Sequence, residues 1–248
     1  TNDTTPTWSW ISGGGGGNGT FRYKLDNSDL ASGATETTGT NYTPGSALSE
    51  ATHTLYVQER DAAGNWSQSG NKAIVIDTTA PNSPVAGGIT PTTDTTPTWS
   101  WSSGGGGGNG TYRYKLDDSN LSSGATETAG TSYTPGSALV DGAHILYVQE
   151  RDTAGNWSQS ESKTIVIDTT PPNAPVASGT TPTNDTTPTW SWVSGGGGGS
   201  GTYRYKLDDS DLSSGATETT AVSYTPGSAL SEATHTLYVQ ERDDVGNW

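Results

Sequence analysis

The 248-residue sequence has no cysteine, no methionine and a single phenylalanine, Phe21. Without cysteine no disulfide staples a small domain, no thiolate serves as nucleophile, and both reducing and oxidising compartments stay open. Basic residues are scarce, 11 Lys and Arg against 26 Asp and Glu, giving a formal charge of −15. That balance argues against nucleic acid or an anionic membrane as partner and makes divalent cations the natural counter-charge. No apolar run approaches the length of a spanning helix, so membrane insertion of this segment is not expected. No signal-peptide pattern is present either, but the sequence begins and ends inside its own repeating pattern, which leaves room for a leader or anchor outside it. Hydrophobic residues make up only 29% of the chain, close to the disordered range.

What the chain does have is order in its aromatics. Trp8, Trp99 and Trp190 lie 91 residues apart, as do Trp66, Trp157 and Trp248, with no insertion between copies. Each copy carries three Trp and four other aromatic residues at fixed places, and such side chains bury large areas each. A 91-residue period is the size of one small domain, so the chain reads as beads on a string. The stretch that resists this reading is "WSWISGGGGGNGTFRYKLD", in which five glycines separate two core-forming segments; it recurs from Trp99 and from Trp190.

In the middle copy, Trp99 and Trp101 fall on one face of a strand, and Tyr112, Tyr114 and Leu116 alternate with Arg113 and Lys115. "HILYVQERD" places Leu146 and Val148 together, and "KTIVID" does the same for Ile165 and Ile167. Turn signals separate these runs and no helical period of useful length appears. The pattern predicts an all-β unit of about seven strands, a two-sheet sandwich.

The segments "PTWSW", "YRYKL", "LYVQERDTAGNWS" and "TIVIDTTPP" resemble the bacterial immunoglobulin-like, fibronectin type III-like tandem repeats of large surface adhesins. The resemblance covers the whole chain. It implies tandem β-sandwiches, an extracellular or cell-surface place, a role in spacing and adhesion, no enzyme activity, and calcium at domain junctions. It divides the chain into residues 1–80, lacking a first strand; 81–171, complete; and 172–248, lacking a last strand. Either the sequence is a window on a longer array, or a neighbouring molecule donates the missing strands head to tail.

With that strand order each linker enters the next repeat beside its glycine run and its "DxxGN" loop. Asp3, Asp77, Asp152 and Asn156 are then expected at the first junction, and Asp94, Asp168, Asp243 and Asn247 at the second. Carboxylates, carbonyls and Asn suit calcium; the same residue types also favour turns for their local hydrogen bonds. Glycines at a junction admit close approach of a neighbouring backbone; a solvated loop is the plainer alternative.

Enzyme chemistry finds little support. His53, His144 and His235 are one histidine repeated, each alone in its copy, and neither zinc nor a Cys/His pair can be built around it. The adjacent Asp117 and Asp118, and Asp208 and Asp209, are neighbours in a strand-end loop rather than a glycosidase pair. "GGGGGNG" lacks the lysine of a phosphate loop. Trp66 and Trp157 either cover the sandwich edge or stack on sugar, which would make the chain an array of carbohydrate-binding modules. The expected partners are neighbouring repeats, identical chains in a filament, and a host-surface or glycan ligand.

Overall fold

The computed structural model describes residues 1–248. Repeat 1 forms β1 (Trp8–Ser9), β2 (Gly17–Leu25), β3 (Thr35–Thr37), β4 (Asn41–Tyr42), β5 (Ala51–Asp61) and β6 (Gly70–Ile76). Repeat 2 forms β7 (Val85–Gly87), β8 (Trp99–Ser102), β9 (Gly108–Leu116), β10 (Thr126–Thr128), β11 (Ser132–Tyr133), β12 (Gly142–Asp152) and β13 (Glu161–Ile167). Repeat 3 forms β14 (Val176–Ser178), β15 (Trp190–Val193), β16 (Gly199–Leu207), β17 (Thr217–Thr219), β18 (Ser223–Tyr224) and β19 (Leu237–Asp243). The chain is all-β, as the alternating patterns predict.

Each repeat builds a short sheet and a long one. The sheets are β1-β4 and β3-β2-β5-β6, then β11-β8-β7 and β10-β9-β12-β13, then β14-β15-β18 and β17-β16-β19. Register repeats with the sequence: Trp8 faces Tyr42, Trp99 faces Tyr133 and Trp190 faces Tyr224. In the long sheets Tyr23 pairs with Val57, and Tyr205 with Val239.

By contact the chain falls into two compact units. The first comprises Thr1–Ala86, Trp101–Thr131 and Tyr147–Ser162, and the second Gly87–Ser100, Ser132–Leu146 and Lys163–Trp248. The division runs through repeat 2. The first unit holds repeat 1 with the glycine-run pole of repeat 2, and the second holds repeat 3 with the remainder.

A few large rings make each core. In the first unit Trp8, Phe21, Leu55 and Ile76 are buried, and the Trp8 indole N–H donates to the Lys72 carbonyl at 2.9 Å. In the second, Trp99, Ile165 and Ile167 are buried, with the Trp99 indole donating to Lys163 in the same way. Around buried Trp192, Tyr203 and Leu237 pack Trp190, Tyr205 and Tyr224. The edge-on stack of Trp10 on Phe21 at 6.0 Å recurs as Trp101 on Tyr112 and Trp192 on Tyr203. Burying roughly 200 Å² per ring at about 25 cal/mol/Å² contributes about 5 kcal/mol each before entropy is counted. That is how a chain with 29% hydrophobic residues sustains a packed interior.

Candidate functional site: the glycine run and the junction

The five glycines serve three separate steric demands. Gly105, Gly106 and Gly107 have φ of 80°, 67° and 90°, and the equivalents in the other repeats match them. Three successive left-handed residues exclude any side chain without strain. The last glycine of the run, Gly108, opens β9, and a Cβ there would sit 2.3 Å from the Glu150 carboxyl carbon. The first, Gly104, would place a Cβ 1.9 Å from the backbone oxygen of Ser83.

Beneath the run lies a buried carboxylate that hydropathy did not reveal. Glu150 is 0% exposed and Glu241 3%. Ser103 Oγ–H donates to Glu150 Oε2 at 2.7 Å and the Gly110 N–H to Oε1 at 3.2 Å. The Tyr112 hydroxyl joins them; burial first, then the Glu150 charge, pushes its pKa above the usual phenol value. Glu241 repeats the arrangement with Ser194, Gly201 and Tyr203. Glu59 does so with Ser12 and Gly19, but Phe21 stands where the tyrosine hydroxyl would be. The glycine run is therefore a lid over a buried acid, its last glycine leaving room for the carboxylate and the serine before it donating to that carboxylate.

The outer side of the lid carries the lead-in segment of the same repeat. The Asn82 N–H donates to the Gly105 carbonyl at 3.2 Å and its Nδ2 to Gly104 at 3.1 Å. Asn173 makes the same pair to Gly196 and Gly195. The expectation that glycines admit a close backbone holds at these two runs, where the neighbour is the segment arriving from the linker.

The loops assigned to the junctions do meet, through amides and carbonyls. Asn156 Nδ2 donates to the Asp77 carbonyl at 2.9 Å, and the Asn2 N–H to the Ala154 carbonyl at 3.2 Å. At the second junction Asn247 Nδ2 donates to the Asp168 carbonyl, again at 2.9 Å. The carboxylates are occupied locally. Asp152 Oδ1 accepts from the Gly155 and Asn156 amides and Oδ2 from Asn156 Nδ2. Burial raises the Asp152 pKa, but these donors outweigh it and the net shift is downward. Asp243 is held identically by Gly246 and Asn247. Asp3, Asp77, Asp94 and Asp168 each cap a tight turn, accepting from the amide two residues on, at Thr5, Thr79, Thr96 and Thr170.

No group of three or more His, Cys, Asp or Glu side chains placed to hold a metal ion forms anywhere in the chain. The carboxylates of Asp3, Asp77, Asp94, Asp152, Asp168 and Asp243 accept hydrogen bonds within their own loops, while Asn156 and Asn247 reach across to backbone oxygens. The junction uses the backbone oxygens of Asp77 and Asp168, which no residue pattern discloses.

The tryptophan after each "GN" turn is half-buried beneath arginine. Arg22 and Arg60 lie 4.4 and 5.4 Å from the Trp66 ring, Arg113 and Arg151 at 4.3 and 5.2 Å from Trp157, and Arg204 and Arg242 at 4.5 and 5.4 Å from Trp248. These contacts place the rings on the long sheet in cation–π stacks.

The histidines join acid to loop. His53 Nδ1 lies 2.7 Å from Asp26 Oδ2 and Nε2 2.9 Å from the Ser49 carbonyl; His235 repeats this with Asp208 and Ser231. Both partners only accept, so the imidazolium alone satisfies both nitrogens. The bond from Asp208 raises the His235 pKa, and the bond from His235 lowers that of Asp208. The histidine contribution is complete below its unfolded value of about 6.5 and is lost as pH climbs through the raised folded value. The Asp208 contribution is present above about 3.9 and is lost as pH falls through the lowered one. Urea midpoints followed against pH are expected to form a plateau between those limits, and His235→Gln to flatten the alkaline limb. Asp209, beside Asp208, is tied to Lys206 at 2.8 Å, so the adjacent carboxylates are engaged separately.

Residues 86–169 match the family of bacterial Ig-like domains. No curated protein matches the chain. Among solved structures it is similar to the fibronectin(III)-like modules of Clostridium thermocellum CbhA, at 14% identity over 65% of this chain and 84% of that one, with a TM-score of 0.36. It is also similar to the FN1–FN3 domains of chicken CNTN1, at 12% identity over 99% of this chain and 87% of that one, with a TM-score of 0.36. Domains of the family are typically non-catalytic and commonly extracellular. Residues 86–169 are thus similar to a bacterial Ig-like domain, and the repeats on either side carry the same sequence pattern and strand plan.

Proposed function

We propose that the chain is a non-catalytic spacer in a bacterial extracellular surface protein, in which each repeat fixes the direction of the next. The observation that carries this reading is the junction bond. Asn156 to Asp77 and Asn247 to Asp168 have the same atoms and the same 2.9 Å length, and each is supported by an Asp that pre-orients the Asn. Asn156 also reaches the Thr79 carbonyl at 3.4 Å. The "DTTAP" and "DTTPP" linkers limit the remaining freedom, since proline fixes its own φ and restricts the residue before it. Identical junctions suit a part whose use is length, where a catalytic centre would need one copy to differ. Adhesion itself, whether to a host surface or a glycan, belongs to whatever the spacer carries.

Because the chain lacks cysteine, exposed Ser28 and Ser119 are clean sites for Cys substitution and spin labelling across the first junction. The parent is expected to give a narrow distance distribution between them. Asn156→Ala is expected to broaden it severalfold while the melting temperature moves by no more than a few degrees. An equally broad distribution in the parent overturns the directional-spacer reading.

A further inference from the structure

We infer that the chain modifies itself at Asn18–Gly19 and Asn109–Gly110: each asparagine loses its amide nitrogen as ammonia, through a cyclic imide closed by the glycine nitrogen, and ends as aspartate or isoaspartate. Water is the only co-reactant. This goes beyond the spacer reading and rests on the bonds around the two asparagines.

The sequence sets an electrophile beside its nucleophile. Asn109 Oδ1 accepts from the Thr111 N–H at 2.9 Å, and Asn18 Oδ1 from the Thr20 N–H at 3.0 Å. A side chain that reaches the amide two residues on is folded back across the peptide between them, and the nitrogen of that peptide belongs to a glycine. Gly19 and Gly110 both have φ of 77°, which glycine adopts without strain, and no Cβ obstructs the approach to their nitrogens.

The proton acceptor is the glutamate beneath the glycine run. The Gly110 N–H donates to Glu150 Oε1 at 3.2 Å, and the Gly19 N–H to Glu59 Oε1 at 3.3 Å. A buried carboxylate aimed at the N–H that must lose its proton is placed as a general base. Both heteroatoms of the asparagine amide are held as well. The Thr111 N–H meets the oxygen on which negative charge develops, and Asn109 Nδ2 donates to the Asp152 carbonyl at 2.8 Å, as Asn18 Nδ2 does to the Asp61 carbonyl at 3.1 Å. In the step itself the glycine nitrogen bonds to Asn Cγ and gives its proton to the glutamate. The Cγ–Nδ2 bond breaks, and ammonia leaves with that proton. Water then opens the imide at either carbonyl, and both asparagines are exposed to it.

The fold has room for the product. In repeat 1, β2 pairs with β5 at Gly17 with Asp61 and next at Thr20 with Arg60, so Asn18 and Gly19 form a bulge outside the ladder. The extra backbone methylene of isoaspartate falls inside that bulge and leaves the register on either side intact. Repeat 3 has the same bulge between Gly199 and Thr202, and the Gly201 N–H donates to Glu241 Oε1 at 3.1 Å, but Ser200 stands in place of the asparagine. Repeat 3 therefore has the base without the electrophile.

The test holds the 248-residue protein at neutral pH in heavy-oxygen water, folded and in urea, and maps oxygen incorporation at positions 18, 109 and 200 by mass spectrometry of its peptides. Asn18 and Asn109 are expected to convert at least tenfold faster in the folded chain than in urea, with Ser200 inert. Glu150→Gln is expected to slow Asn109 at least tenfold and to leave Asn18 unchanged. Ser200→Asn sets an amide over Glu241 and does not depend on how well Glu150→Gln folds; it is expected to make position 200 convert at the rate of Asn109. A folded rate at or below the urea rate overturns the proposal, as does an unaltered rate at Asn109 in folded Glu150→Gln or an inert position 200 in Ser200→Asn. Each readout is a mass change, so none of these outcomes bears on the junction-label experiment or the spacer reading.

Discussion

Gly104→Ala is expected to destabilise repeat 2 by about 3 kcal/mol, at the upper end for forced overpacking. The same change at Gly13 is expected to be neutral or to gain about 0.5 kcal/mol from a less flexible unfolded chain. The two sites are equivalent in sequence, and neither has a positive φ, so intrinsic backbone preference is not what separates them. What separates them is the Ser83 carbonyl, which a Cβ on Gly104 would approach to 1.9 Å while one on Gly13 meets nothing within 4 Å. The neighbour is backbone, which cannot swing away as a side-chain tip can, so the lead-in segment must shift and give up the Asn82 bonds to Gly104 and Gly105. Urea unfolding with amide exchange at residues 82–87 separates the outcomes: loss of protection there and a lowered midpoint for Gly104→Ala, neither for Gly13→Ala. Gly195→Ala should follow Gly104→Ala, because the Ala174 oxygen stands 2.2 Å away.

Glu150→Ala is the second large effect. Removing the carboxylate orphans the Ser103 hydroxyl, the Gly110 N–H and the Tyr112 hydroxyl at a fully buried position. Each unsatisfied buried donor costs about 1–3 kcal/mol, and a cavity adds to that, so a loss of about 4 kcal/mol is expected. Glu150→Gln should lose roughly half as much, since Oε1 still serves the glycine amide while the two hydroxyls rotate to accept from the new NH2. Glu59→Ala provides the internal comparison. With Phe21 in place of the tyrosine one donor fewer is stranded, and Glu59 is already 9% exposed, so its loss should be the smaller. Chemical denaturation of the three variants, resolved by exchange at β5 and β12, checks the ordering. Equal losses at Glu59 and Glu150 would dispose of the argument.

Most of the fold was legible because aromatic side chains announce their face by alternation. Trp99 and Trp101, and Ile165 and Ile167, are buried as their spacing requires. Glu150 was illegible for the same reason. The face that carries Leu146 and Val148 continues to Glu150 and Asp152, all buried, but hydropathy stops at the valine and the strand reads as turning polar. The signal that was present lay elsewhere in the chain: a serine and a glycine run that recur together opposite the same glutamate in every copy. Leu121 was missed as well. It is buried although it sits in a polar segment between strands, where no period exists to mark it. At the junctions the residue types pointed to the loops that meet, but not to the bonds that join them. Asn156 and Asn247 bridge to backbone oxygens, and a carbonyl has no letter in the sequence.

The arginine stacks reach beyond the single repeat. All six arginines of the chain lie over tryptophan rings, and Lys24, Lys115 and Lys206 are tied to the Asp29 carbonyl, Asp118 and Asp209 of their own loops. Cationic groups spent inside a copy are not offered to a neighbour, so each molecule turns a mostly uncompensated acidic surface outward, part of a net charge of −15. Brought side by side, such molecules repel as the bristles of a polyelectrolyte brush do, over a range of about 10 Å at 0.1 M salt. Crowding then keeps them apart in dilute media, and salt draws them together.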